Sequence, residues 1–198
     1  KKKTAFRSFF RIGGIMIIVK KEGNIHRNHY EIRNACVSDA EALITYLKVT
    51  SEESKYLLRE REEIHITLER EEAYLKQMEK SEKEVMLVIQ VDGELAGTGS
   101  ITMVAPYQRY AHRCQIAIAL LKKYWGQGYG SLLFQELLTV AEQLQYEQVE
   151  LQVVSDNKVA IHLYQKMGFE ICGTISNAMK YKDGSYADEY VMIKKQKK

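Results

Sequence analysis

Short alternating apolar runs and longer helical stripes take turns along this chain. Residues 29–37, HYEIRNACV, alternate as a half-buried strand does, and Ser38 with Glu41 predicts a capping box that opens a helix reaching about Val49. Between residues 52 and 80 the chain is charge-rich, with Leu68, Leu75 and Met78 on one helical face behind a Thr67 cap. The run EVMLVIQVDGELAGTGSITMV divides at Asp92-Gly93, a pair that favours a tight hairpin turn, and predicts two antiparallel strands. A further strand over residues 112–121, HRCQIAIALL, leads straight into KKYWGQGYGSLL, where Gly126, Gly128 and Gly130 stand at alternate positions. Leu133, Phe134, Leu137, Leu138, Ala141 and Leu144 then recur at helical spacing, enough for a helix of about five turns. After it come a strand, QVELQVV; a helix, NKVAIHLYQKM, stopped by Gly168; and two last strands, GFEICGTIS and YADEYVMIK, around an Asp183-Gly184 turn.

With 198 residues, one proline and no repeat or low-complexity linker, the chain is long enough for one well-buried core and shows no boundary to a second. Its formal net charge of +3 comes from basic ends, KKK and KKQKK, around a mixed interior. Nucleic-acid binding, which needs Lys and Arg clustered with stacking aromatics on one face, is therefore not expected. Cys36, Cys114 and Cys172 are odd in number and far apart, and the five histidines form no HExxH pair. No metal is expected, and reduced thiols suit a cytoplasmic protein. The apolar stretch from Ile12 to Val19 is too short for a bilayer, which takes about 20 residues, and Lys20 and Lys21 follow it in place of a small-residue cleavage site. No membrane partner is expected. Residues 1–28 read as an N-terminal extension, with 1–15 foreign to the protein or upstream of a natural start at Met16, and residues 194–198 as a basic tail.

A strand that feeds a glycine-rich turn into a helix N-terminus presents free backbone N–H groups at the positive end of the helix dipole, a place that binds phosphate. Glycine lets the phosphate approach the amides and allows positive φ. A mononucleotide P-loop needs GxxxxGK[ST], which is absent, and a dinucleotide fold needs GxGxxG after an early strand of a parallel sheet, whereas these glycines follow an antiparallel hairpin in mid-chain. A plain tight turn that packs a helix on a sheet is the competing account.

Three stretches in register resemble the GNAT superfamily of acyl-CoA-dependent N-acetyltransferases, over residues 29–193. IALLKKYWGQGYGSLLF is similar to the family's pyrophosphate loop, Arg/Gln-x-x-Gly-x-Gly/Ala, with Gly128 and Gly130 matching and Trp125 where Arg or Gln is usual. NKVAIHLYQKMGF is similar to Asn-x-x-Ala-x-x-Leu-Tyr-x-Lys-x-Gly-Phe through Asn157, Ala160, Leu163, Tyr164, Lys166, Gly168 and Phe169. DGSYADEYVM is similar to the closing strand in several branches. The resemblance implies a single N-acetyltransferase domain over 29–193 with a mixed α/β fold. Its centre is a mostly antiparallel sheet of about six to seven strands flanked by about four helices, with a strand-loop-helix site for the acyl-CoA pyrophosphate.

It also implies acetyl-CoA as cosubstrate and direct attack of a primary amine on the thioester, with no acyl-enzyme. The site must then bind a pyrophosphate, accept the amine proton, stabilise an oxyanion and protonate a leaving thiolate. By resemblance, the backbone of Ile118, Ala119 and Leu120 bonds the pantetheine arm and supplies an N–H to the oxyanion. Trp125, Gly126, Gln127, Gly128, Tyr129, Gly130 and Ser131 take the pyrophosphate, Asn157 bonds a pantetheine amide, and Tyr164 is the general acid. The competing roles are a helix cap for Asn157 and a core aromatic for Tyr164. The family's usual glutamate base falls at about Gln115, which cannot accept a proton, so no base is assigned. His112 and Glu150 read as a surface histidine and a solvated strand-end carboxylate, and Cys114 and Cys172 as small core residues.

The acceptor is an amine of a small molecule or a peptide N-terminus. Glu52, Glu53, Glu60, Glu62, Glu63, Glu69, Glu71 and Glu72 read chiefly as a solvated helical face with partners such as Lys55, Arg59 and Arg61, and otherwise as a field drawing in a cation. A homodimer is left open. The alternative function is a catalytically weak acyl-CoA-binding regulatory module.

Overall fold

In the computed structural model, which describes residues 9–12, 15–18 and 21–196, the alternating runs become strands and the stripes become helices. The strands are β1 (Phe9–Ile12), β2 (Ile15–Ile18), β3 (Lys21–Ile25), β4 (Asn28–Asn34), β5 (Val85–Val91), β6 (Glu94–Met103), β7 (Arg113–Leu120), β8 (Gln148–Val154), β9 (Glu170–Lys180) and β10 (Tyr186–Lys195). The helices are α1 (Ala40–Glu53), α2 (Leu68–Lys80), α3 (Tyr129–Gln143) and α4 (Lys158–Lys166). β1 and β2 pair only with each other, and the rest form one sheet in the order β3-β4-β5-β6-β7-β8-β10-β9. Every neighbouring pair is antiparallel except β7 and β8. The expected start at Met16 turns on residues 1–15, of which 1–8 and 13–14 lie outside the described residues, as do 197 and 198 at the end of the expected tail.

The sheet has eight strands where about six to seven were expected, and the addition is β3. KEGNI has no alternation to reveal a strand, and the turn that joins it to β4 is His26-Arg27, both at positive φ (49° and 79°) without the usual Asn or Gly. Gly23 lies under its cross-strand partner Tyr30, where a Cβ would come within 2.7 Å of the ring. Lys21 then ties β3 to α3 through a 2.7 Å ion pair with the buried Glu136.

Alternation in β5 sends Val85, Leu87, Ile89 and Val91 into one core and Val88 into another. The first core is closed by Leu133, Phe134, Leu137 and Val140 of α3 and Ile161 of α4; the second by Leu43 of α1 and Leu75 of α2. The helices thus cover both faces of the sheet. Gly99 of β6 lets α3 settle close, since a Cβ there would stand 2.5 Å from Leu137 Cδ1.

α1 does not begin as expected. Asp39, rather than Ser38 with Glu41, closes the entry turn by accepting the Cys36 N–H at 2.9 Å, while the Arg33 guanidinium donates to both its oxygens at 2.6 and 2.7 Å. Burial works to raise the Asp39 pKa, but these hydrogen bonds outweigh it and hold the carboxyl below its ordinary value. A carboxylate with a fixed guanidinium is a stronger acceptor than a serine hydroxyl, so the short turn before α1 closes on Asp39, whose side chain makes no cap bond to α1 itself.

Candidate active site

β7 and β8 stay paired for three residues, Arg113 to Gln148, Cys114 to Val149 and Gln115 to Glu150, and then part. On its other side β7 remains paired with β6 as far as Leu120 opposite Gly97. Leu121 donates its N–H to Ala96 O at 2.9 Å, so by antiparallel alternation Ala119 also faces β6, while Ile118 and Leu120 turn their backbone groups toward the gap left by β8. Tyr46 of α1 reinforces that division by donating its hydroxyl to Ala119 O at 2.6 Å. Nothing in the sequence marks Tyr46 for this contact beyond its place on a helix.

The gap opens onto the glycine loop. Lys122–Tyr124 form one short turn, Gly126 and Gly128 take positive φ (72° and 91°), and α3 starts at Tyr129 with Gly128 as its cap. Among the described residues, no protein acceptor takes the N–H groups of Gly126, Gln127, Gly128, Tyr129, Gly130 or Ser131, and the first loop-to-helix bond is Leu132 N–H to Gly128 O at 3.1 Å. A Cβ built on Gly126 meets nothing within 4 Å, and one on Gly128 meets only Ile25 at 3.9 Å. The space over these amides is open, as a phosphate requires. Tyr129 contributes its amide only, because its ring is fully buried against Tyr124. Outside help fixes the loop, with Glu53 accepting the Lys122 N–H at 2.7 Å and Glu94 the Tyr124 hydroxyl at 3.0 Å, while within it Gln127 donates to Lys123 O at 2.6 Å. Trp125, the departure from the family pattern, donates its indole N–H at 2.8 Å to Leu120 O.

Across the gap, Asn157 caps α4 by accepting the Ala160 N–H at 3.2 Å, which leaves the carboxamide NH₂ to donate elsewhere. Tyr164 is 8% exposed, its ring packed at a tilt of 38° against Phe134 (centroids 4.9 Å apart), and no described residue hydrogen-bonds its hydroxyl. Burial pushes its pKa up to about 12. Such a phenol keeps its proton throughout the range in which amines lose theirs.

Of the two residues weighed as a base, His112 is an exposed surface residue, as expected, and Glu150 is not free to act as one. Glu150 is a buried partner of the Arg113 guanidinium (Nη2 to Oε2 2.9 Å) and of Gln148 (2.8 Å), rather than a solvated carboxylate. Burial opposes its ionisation, but those bonds hold its pKa below the ordinary value. Gln115 is exposed. Cys114 is buried as expected, with its pKa pushed up to about 12 by burial, whereas Cys172 is exposed because β9 is an edge strand with little packed on it. Among the described residues, no three His, Cys, Asp or Glu side chains come together as a metal site. No helix among them is long and apolar enough to cross a membrane.

A second concavity, about 650 Å³, lies between the α1–α2 connection and the β9–β10 turn. Lys55 pairs with Asp156 there at 2.6 Å, and Lys182 bridges Glu62 (3.1 Å) and Glu60 (3.3 Å). Tyr181 lines the same place, and among the described residues its buried hydroxyl has no partner. Residues 54–67 are therefore not a helical face: they are a loop whose carboxylates, exposed as expected, pair with Lys182 of the hairpin.

A family model described as acetyltransferase (GNAT) family matches residues 50–169. The chain belongs to the GNAT acetyltransferase family. An L-amino acid N-acetyltransferase of Escherichia coli (strain K12) is 33% identical over 111 residues, which are 54% of this chain and 66% of that enzyme's length. The solved GNAT-family acetyltransferase of Streptococcus pneumoniae is 31% identical, with a TM-score of 0.81 over 84% of this chain and 99% of its own. The phosphinothricin acetyltransferase of Sinorhizobium meliloti, solved in complex with acetyl-CoA, shares the fold at 16% identity, with a TM-score of 0.73 over 83% of this chain and 86% of its own. Within the GNAT frame, the parted strands lead on one side into the amide-lined loop and on the other, through β8, into α4 with Asn157 as its cap and Tyr164 packed on Phe134 of α3, while Ala119 bonds toward Tyr46 and the Tyr129 side chain is buried.

Proposed function

We propose that this GNAT protein is an N-acetyltransferase that moves the acetyl group of acetyl-CoA to a primary amine by direct attack, through one domain over residues 29–193 with β3 in front of it. The row of six unaccepted amides from Gly126 to Ser131 carries the reading, since it fits a diphosphate and little else in the fold would use it. When bound, acetyl-CoA supplies an acyl carbon activated as a thioester. The residues present fit it: Gly126–Ser131 for the diphosphate, Ile118 and Leu120 as a strand edge for the amides of the arm, and the Asn157 NH₂ as a further donor. Tyr164 holds a proton on its hydroxyl, as a group that neutralises a leaving sulfur must.

The cleft between the α1–α2 connection and the β9–β10 turn is the proposed acceptor site. Lys55 and Lys182 would hold a carboxylate, and Asp156 with Asp188 would hold the amine end. An acceptor that carries both groups, a free amino acid, suits this set, and the activity named for the E. coli relative favours it. An amine panel of amino acids, polyamines and peptide N-termini, incubated with acetyl-CoA and followed by release of free thiol, tests the proposal. Acetylation of amino acids ahead of the other classes supports it. Binding of acetyl-CoA with no thiol release from any amine would instead make the protein a binding module.

A further inference from the structure

Trp125 stands where the family pattern has a basic or amide side chain, and the structure gives it another partner. Its indole N–H reaches back five residues to the carbonyl of Leu120, the last residue of β7, at 2.8 Å. Leu120 is one of the two residues whose backbone faces the gap between β7 and β8. The indole therefore ends the open strand edge at the point where the phosphate loop begins. A carbonyl has two lone pairs and an indole N–H is a donor only, so one Leu120 lone pair is engaged and the other remains directed along the edge. At 43% exposed, the ring is half packed and half presented to solvent beside Gly126. No other residue of the loop is tied to the strand edge by its side chain: Gln127 bonds within the loop, and Glu53 and Glu94 hold it from outside.

We infer that Trp125 is a positioning residue for the acyl-CoA, fixing the distance between the strand edge that takes the pantetheine arm and the amides that take the diphosphate. This rests on the acetyl-CoA reading above. An arm and a diphosphate joined in one molecule bind both places well only if the spacing between them is set, so losing the tie lowers affinity without touching the proton donor.

Trp125 is the chain's single tryptophan, so its emission reports this place alone. Acetyl-CoA is titrated into the intact protein by calorimetry and by tryptophan fluorescence, and Trp125→Phe, which keeps an aromatic ring but loses the N–H, is titrated by calorimetry. Expected are a saturable change in emission with the calorimetric midpoint and about fivefold weaker acetyl-CoA binding in Trp125→Phe, the worth of one hydrogen bond. The KM for acetyl-CoA should rise by a similar factor while kcat stays put, and the melting temperature should fall by no more than the loss of one hydrogen bond allows. Acetyl-CoA binding that leaves the emission unchanged, or equal affinity in Trp125→Phe, overturns the inference alone. No calorimetric binding to the unaltered protein overturns the acetyl-CoA reading and this inference with it.

Discussion

Gln115 of β7 and Glu150 of β8 are the last residues to face each other before the two strands part. Glu150 is buried there and kept ionised by Arg113, whose pairing with Gln148 begins the shared ladder two residues earlier. The ion pair holds the narrow end of the gap closed.

Arg113→Ala should therefore destabilise the fold by about 2–3 kcal/mol near neutral pH, because a buried carboxylate loses its guanidinium. Glu150 has a lowered pKa in the folded state, so its contribution is present above the ordinary carboxyl value and is lost as pH falls through the folded one. Urea denaturation should show unaltered and variant proteins far apart near neutrality and converging in acid. A gap that persists undiminished in acid would assign the effect to Arg113 packing instead.

Tyr164→Phe should lower kcat by about 10- to 100-fold, as loss of a general acid does, with little change in melting temperature since no described residue bonds the hydroxyl. A pKa raised to about 12 means the acid form persists well past the ordinary phenol value of 10. An alkaline fall in rate near pH 10 that disappears in Tyr164→Phe would contradict this placement of the residue. The same raised pKa adds stability that is complete below the unfolded value and is lost as pH rises toward about 12.

Gly128 separates backbone strain from ligand exclusion. Gly128→Ala forces a side chain to φ 91°, at a cost of about 1–2 kcal/mol, but meets no protein atom closer than Ile25. Gly128→Glu adds a carboxylate to a diphosphate site, and calorimetry should show acetyl-CoA binding abolished, against a loss of stability no larger than that of Gly128→Ala. Equal acetyl-CoA affinity in Gly128→Glu and the unaltered protein would move the phosphate site elsewhere.

Thiol labelling of the native protein should modify the exposed Cys172 first and Cys36 more slowly, and leave Cys114 untouched until denaturation. Burial holds the Cys114 thiol protonated, and a thiol is the unreactive form. Mass spectrometry of labelled peptides reads all three at once.

The loop was readable in the sequence because positive φ leaves a mark in composition: two of its three alternate glycines sit at φ 72° and 91°. The hairpin at Asp92-Gly93 was readable for the same reason, and the Thr67 cap because its hydroxyl accepts an N–H only three residues on. What could not be read depended on partners far away in the chain. β3 is a strand only because Tyr30 covers Gly23 and Glu136 receives Lys21. Asp39 outcompetes Ser38 only because Arg33 is there to hold it. Glu60 and Glu62 have the composition of a solvated face, yet their partner is Lys182, more than a hundred residues on. Trp125 read as a missing phosphate donor, since no one-dimensional pattern could show its indole turned toward Leu120.

The parting of β7 and β8 leaves the middle of the sheet with a bare margin, the kind of surface on which a foreign strand adds itself. A bound acyl chain with two amides would occupy that margin as a surrogate strand. Saturating acetyl-CoA should then act as a folding aid as well as a reactant, raising the thermal midpoint and delaying heat-induced clumping. Storage without it would be the condition in which this protein loses solubility first.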